Sequence, residues 1–157
     1  APPPSLVEQL RTSAAQGEYA EAYALMTRSP SAVRGNAADL MLAADVARRA
    51  GHPQVATVYL ERVVRQFPKS SQAPLASFTL GRIYMSTGRT KQAQDAFARA
   101  GLHDDDSPLA EDALARQVEA AHRAGDRARA RRLAHQYLAK YPKGKRRAAV
   151  KQHAGIE

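Results

Sequence analysis

Apolar positions along this chain return every three or four residues and are interrupted at glycines. Leu75, Phe78, Thr79, Ile83 and Tyr84 keep helical spacing up to Gly88, and Ala93, Ala96, Phe97 and Ala100 take it up again beyond. A Gly at such a break suits the left-handed residue that ends a helix. Pro68 and Pro142 end the helices that precede them, because Pro lacks a donor and disfavours helix in the residue before it. Ser107-Pro108 opens another helix, with Ser as N-cap, Pro in the first turn, and Glu111 and Asp112 near the positive end of the dipole. The pattern predicts helices over 5–16, 18–28, 37–50, 53–67, 72–87, 90–101, 108–124, 127–140 and 144–153. The expected core holds Leu60, Val63, Leu80, Ile83, Tyr84, Phe97, Leu114, Leu133 and Tyr137.

The breaks are periodic. A Gly followed five residues later by Ala recurs at Gly17/Ala22, Gly51/Ala56, Gly88/Ala93 and Gly125/Ala130, with Gly spacings of 34, 37 and 37. In the second and fourth units an aromatic-Pro-Lys triplet follows, Phe67-Pro68-Lys69 and Tyr141-Pro142-Lys143. Each unit is therefore two helices around a Gly, with a small Ala letting them approach. One such pair cannot bury its apolar stripe alone, whereas stacked pairs can.

These residues carry a family likeness. Leu80-Gly81-Arg82-Ile83-Tyr84 followed by Gly88, Ala93, Phe97 and Ala100 resembles a tetratricopeptide repeat. The second unit is similar through Ala43-Ala44, Ala47, Gly51, Ala56, Leu60, Val63 and Pro68. The fourth keeps Gly125, Ala130, Tyr137 and Pro142 but has Gln117-Val118 where Leu-Gly is expected, and the first keeps Gly17, Tyr19 and Ala22. The resemblance implies an all-α, right-handed solenoid of about four helix pairs over 5–142, after a Pro-rich linker at 1–4 and before a basic capping helix at 143–157. It implies a non-enzymatic scaffold that binds a protein or peptide segment along the first helices of the pairs. Phe67-Pro68-Lys69-Ser70-Ser71-Gln72-Ala73-Pro74 further resembles the repeats of the Tol–Pal coordinator and of outer-membrane assembly lipoproteins. The runs 78–82, 107–114 and 124–130 resemble the tail of FecR-type regulators. That narrower likeness implies a bacterial cell-envelope protein, with the periplasm as the expected compartment and the cytoplasm as the alternative.

Composition agrees and adds exclusions. Alanine is about a fifth of the chain and aromatics only 6%, which favours helix over sheet. With no Cys, disulfides, thiolate zinc sites and a cysteine nucleophile are excluded. No apolar run approaches the ~18 residues of a membrane span, and no signal peptide is evident. A start at Ala1-Pro2-Pro3-Pro4 without Met reads as a fragment or processed form of something longer. Gly-rich phosphate loops, Gly-x-Ser-x-Gly and His-Glu-x-x-His are all missing, so neither catalysis nor a cofactor is expected.

Charge is concentrated at one end. Residues 1–115 hold 12 basic and 12 acidic side chains; residues 116–151 hold 12 basic against Glu119 and Asp126, and Glu157 brings the total to +9. Arg127, Arg131 and Lys140 read as one helix face, with Lys145, Arg146 and Arg147 starting the next helix. Such a patch attracts acidic proteins, anionic surfaces or nucleic acid, yet no aromatic is interleaved in 143–157, so nucleic acid is disfavoured and a solubilising cap is the plain reading.

The resemblance and i, i+3/i+4, i+7 spacing select candidate groove residues: Met41, Asp45, Arg48 and Arg49 in the second unit, Leu75, Phe78, Arg82 and Met85 in the third, and Asp112, Glu119, His122 and Arg123 in the fourth. Phe78 and Met85 offer adaptable apolar surface, and Arg48, Arg82 and Arg123 offer forked donors for carboxylates. The Asn/Lys set of the chaperone-tail carboxylate clamp is missing from these positions, which disfavours that ligand. His103-Asp104-Asp105-Asp106 is the one cluster suited to a hard cation, but it lacks the spaced pattern of a calcium loop and reads as a solvated acidic turn. No metal is expected.

Overall fold

The computed structural model describes residues 1–102 and 107–157. Among them every regular element is helical: α1 Leu6–Ala15, α2 Tyr19–Arg28, a 3₁₀ turn Pro30–Ala32, α3 Ala37–Arg49, α4 Pro53–Gln66, α5 Ala73–Ser86, α6 Thr90–Ala100, α7 Pro108–Arg123, α8 Arg127–Lys140 and α9 Arg147–Ala154. The chain divides into two compact units, residues 1–73 and 74–157.

Within each pair the same device turns the chain. Gly17, Gly51, Gly88 and Gly125 have φ between +74° and +88°, where side chains with a Cβ are strained. Around each, two backbone bonds close the helix end: Gly17 N–H donates to Ala14 C=O at 3.1 Å and Glu18 N–H to Ser13 C=O at 2.9 Å, and the pattern repeats at the other three glycines. These are Schellman turns, which satisfy carbonyls that the helix end would leave open. Starts are fixed by side chains. Ser5 and Glu8 form a reciprocal capping box on α1, Asn36 caps α3, Ser107 caps α7 and Asp126 caps α8. Phe67 and Tyr141 end α4 and α8 immediately before a Pro.

In the first unit α1 packs on α2, α2 on α3 and α3 on α4, around Leu10, Leu40, Val46, Leu60 and Val63. Asp39 at the start of α3 is buried, and it joins three segments: Arg11 of α1 at 2.7 Å, Arg34 at 2.7 Å and Asn36 at 2.9 Å. Burial pushes this carboxyl up, but the Arg11, Arg34 and Asn36 hydrogen bonds outweigh it and hold it down at about 2.

The second unit is built on Phe97, Val118, Tyr137 and Val150. Phe97 lies so close to Gly81 on α5 that a Cβ there would stand 2.5 Å from its ring, which explains a Gly inside a helix. The Tyr137 hydroxyl donates to Glu111 at 2.7 Å and accepts the Arg146 backbone N–H at 3.0 Å. Burial and the Glu111 bond push this phenol up to about 12.

Three expectations are corrected by these elements. Helix α9 begins at Arg147 rather than 144, because Gly144 lies against the Tyr137 hydroxyl and Glu111 in a turn that has no room for a Cβ. The Pro30–Ala32 turn was not expected; it buries Ala32 against α1 and α2. Leu114 is half-buried and lines a surface groove, while the other eight expected core residues are buried.

Candidate functional site

Side chains on the first helices of the pairs fall into two groups. Asp45 is committed within α3, accepting from Arg48 at 2.7 Å and from Arg49 at 2.9 Å. Arg49 also lies 5.1 Å over the Tyr19 ring. Met41 sits half-buried on the same helix. On α7, Glu119 accepts from Arg116 and Arg123, both at 2.8 Å, so Glu119 and Arg123 satisfy one another. The His122 ring lies 5.3 Å from that of His153 on α9. The face of α5 differs. Phe78 is half-buried, edge-on to Phe97 at 5.4 Å; Met85 is half-buried and Leu75 is 48% exposed. Between them Arg82 is exposed and has no ion pair among the described residues. An apolar stripe around one uncommitted guanidinium can take an apolar segment bearing a carboxylate.

The basic segment divides as well. Arg131 and Lys140 are nine residues apart, about two and a half turns, so they occupy opposite sides of α8. The single face expected for Arg127, Arg131 and Lys140 is therefore corrected: Lys140 lines a groove with Leu133 and Gln136, and Arg127 and Arg131 lie on the other side. Lys145, Arg146 and Arg147 are partly structural. The Lys145 N–H donates to Glu111 at 2.9 Å, the Arg146 side chain to Asp112 at 2.9 Å, and the Arg147 side chain to the Pro142 carbonyl at 3.3 Å. Spacing offered no signal for this latch, since Glu111 and Tyr137 are 26 positions apart. The Asp39 hub had a partial one: Asn36 ahead of an apolar run is an N-cap candidate, and its side chain accepts the Asp39 N–H at 2.9 Å.

A concavity of about 710 Å³ in the second unit lies on the side of α7 that faces α6 and α8. Ala98 and Leu102 form one edge, Leu114 and Gln117 the floor, and Leu133 and Gln136 the other edge. Residues 103–106, considered above for a cation, lie outside the described residues. No helix among the described residues is long and apolar enough to cross a membrane, and they contain no cluster of three or more metal-ligating side chains.

With this geometry the comparisons agree on a class. Residues 47–117 match the tetratricopeptide repeat family, and residues 112–144 match it again. The chain thus carries tetratricopeptide repeats, the all-α solenoid class. Two solved structures align with it over 95% of its length: the nearly identical TPR-like repeats of a Podosopora anserina protein described as a kinesin light chain, and a point variant of the same repeats. Each is 19% identical; the variant gives a TM-score of 0.68 over 81% of that chain, and the parent 0.67 over 82%. At that identity the likeness is one of fold. No curated protein matches the chain.

Proposed function

We propose that this chain is a non-catalytic scaffold that holds a segment of another protein against the first helices of its repeats, chiefly against α5. The observation that carries the reading is Arg82, an exposed guanidinium without an ion pair among the described residues, flanked on its own helix face by Leu75, Phe78 and Met85. The repeat class supports it, because such repeats generally serve protein–protein interaction. Affinity comes from the apolar stripe, and the guanidinium fixes register by pairing with a carboxylate.

Panning a displayed library of random peptides on the immobilised protein tests this. Selected peptides should combine apolar residues with a carboxylate, and their retention should fall about ten-fold or more on Phe78→Ala and on Arg82→Glu. Peptides that bind both variants as well as the parent would sink the proposal.

The motifs at 67–74, 78–82 and 107–114 support a bacterial envelope address for the full-length protein. Fractionation that finds it in the cytosol would defeat that address and leave the scaffold reading standing.

A further inference from the structure

The groove between α6, α7 and α8 is a second concavity, and its charge suggests what fits it. Leu102, 78% exposed at its edge, leaves a large apolar side chain in water that a bound segment would cover. Its floor offers Leu114 and the buried amide of Gln117, and its volume of about 710 Å³ lies in the ordinary range for ligand sites.

One wall is cationic. Helix α8 carries Arg129, Arg132 and Lys140 on the groove half of its circumference, Arg127 and Arg131 on the other half, and no carboxylate. Helical spacing continues the groove stripe of Leu133 and Gln136 back to Arg129 and Arg132. Arg132 is exposed and, among the described residues, without a partner; the Nε of Arg129 is buried and likewise has no hydrogen-bond partner among them. The carboxylates of α7 do not answer this charge. Glu111 accepts from Tyr137 and the Lys145 N–H, Asp112 pairs with Arg146, and Glu119 pairs with Arg116 and Arg123. Helix α6 adds Lys91 and Arg99 against Asp95. Residues 74–157 hold 16 basic and 9 acidic side chains, a net of +7 that already counts the three aspartates at 104–106.

We infer that this groove is a second docking surface, for a protein segment that presents apolar side chains at helical spacing flanked by Asp or Glu. It extends the scaffold reading from α5 to the opposite helices of the pairs. The apolar side chains cover Leu102 and Leu114 beside the edge of Leu133, and the carboxylates meet Arg132 on α8. Desolvated apolar anchors supply affinity, and the charged rim speeds encounter and rejects basic segments.

The test uses two fluorescein-labelled peptides of about 16 residues, with Leu at i, i+3, i+4 and i+7 and either Glu or Lys elsewhere. The Glu peptide should bind about ten-fold or more tighter than its Lys twin. It should weaken between about 50 and about 300 mM salt, and lose about ten-fold on Leu102→Glu or Arg132→Glu. Both positions are exposed, and circular dichroism of the two variants should match the parent. Amide shifts should cluster at Ala98, Leu102, Gln136 and Ala139. Because the chain has no Cys, a spin label on Gln136→Cys alone should broaden the bound peptide.

Equal binding of the twins, or indifference to Leu102→Glu, would overturn the inference. Loss only on Phe78→Ala and Arg82→Glu would overturn it and keep the α5 reading. Sedimentation showing a dimer that Leu102→Glu dissolves would give the groove to a second copy instead. Shifts of the same amides by oligo-dT, with the Glu peptide inert, would give it to nucleic acid.

Discussion

Single residues show where this fold tolerates least change. The Gly81 Cα faces the Phe97 ring with no room for a methyl, so Gly81→Ala must displace a fully buried ring rather than a flexible tip. Denaturant melts should show a loss of about 1–3 kcal/mol, against about 3–5 kcal/mol for Phe97→Ala, which removes the ring altogether. A Gly81→Ala protein as stable as the parent would show that the contact is slack. Asp39 is the polar counterpart. Its carboxyl, ordinarily near 3.8, sits at about 2 in the folded state despite burial, because Arg11, Arg34 and Asn36 bond its charged form. A lowered folded value means that the unfolded chain takes up the proton first as pH falls. The contribution is therefore complete above pH 3.8 and disappears as pH falls through about 2. Arg11 and Arg34 are about half exposed, and their solvation trims the effect to roughly 1–2 kcal/mol. Melts from pH 5 to pH 2 should be steeper for the parent than for Asp39→Asn; parallel curves would remove Asp39 from the account.

At the scale of elements, the helices were legible from the sequence because two kinds of residue act locally. Gly17, Gly51, Gly88 and Gly125 set the turns through their own positive φ, and Pro68 and Pro142 end helices through their own missing donor. Periodicity between those marks fixes which face is buried, so most of the expected core is the observed one. What stayed hidden depends on partners distant in sequence. The start of α9 is decided by Tyr137 and Glu111, and the commitment of Arg146 by Asp112. The candidate site was partly legible in the same terms: the Asp45–Arg48 and Glu119–Arg123 pairs sit at local helical spacing, whereas only the fold shows that Arg82 has no ion pair among the described residues. The latch yields two expectations for α9. Tyr137→Phe leaves the Arg146 N–H without its acceptor and should cost about 1–3 kcal/mol, with amide protection lost first in Arg147–Ala154. Burial lowers the pKa of His153; Arg116, Arg123 and His122 act in the same direction and Glu119 opposes them. Docked α9 thus prefers a neutral imidazole, and its docking should weaken as pH falls below 6.5. Hydrogen exchange at pH 7 and pH 5 should show this in the parent and not in His153→Gln; identical exchange in the two proteins would contradict it.

For the molecule as a whole, charge acts at two ranges that mutation can separate. The net of +9 creates a field felt by an approaching partner whichever arginine carries it, and salt screens that field over roughly 10 Å at 0.1 M. Contact is more selective, because an arginine slows dissociation only if the bound segment reaches it. Arg131 and Arg132 adjoin in sequence and are both exposed, yet helical geometry turns Arg132 towards the groove and Arg131 away from it. Arg131→Gln and Arg132→Gln therefore remove the same charge from nearly the same place. Stopped-flow association with the acidic peptide should slow by similar factors, about two-fold each at low salt, and the difference should vanish at about 300 mM. Dissociation should accelerate only for Arg132→Gln. Neither change should move the melt by more than about 0.5 kcal/mol, because exposed charges contribute little to stability. Lys145, Arg146 and Arg147 are poorer choices for this comparison, since the Arg146–Asp112 pair ties α9 to α7 and its loss mixes stability with binding. If Arg131→Gln accelerates dissociation as much as Arg132→Gln does, the bound segment lies across α8 rather than in the groove.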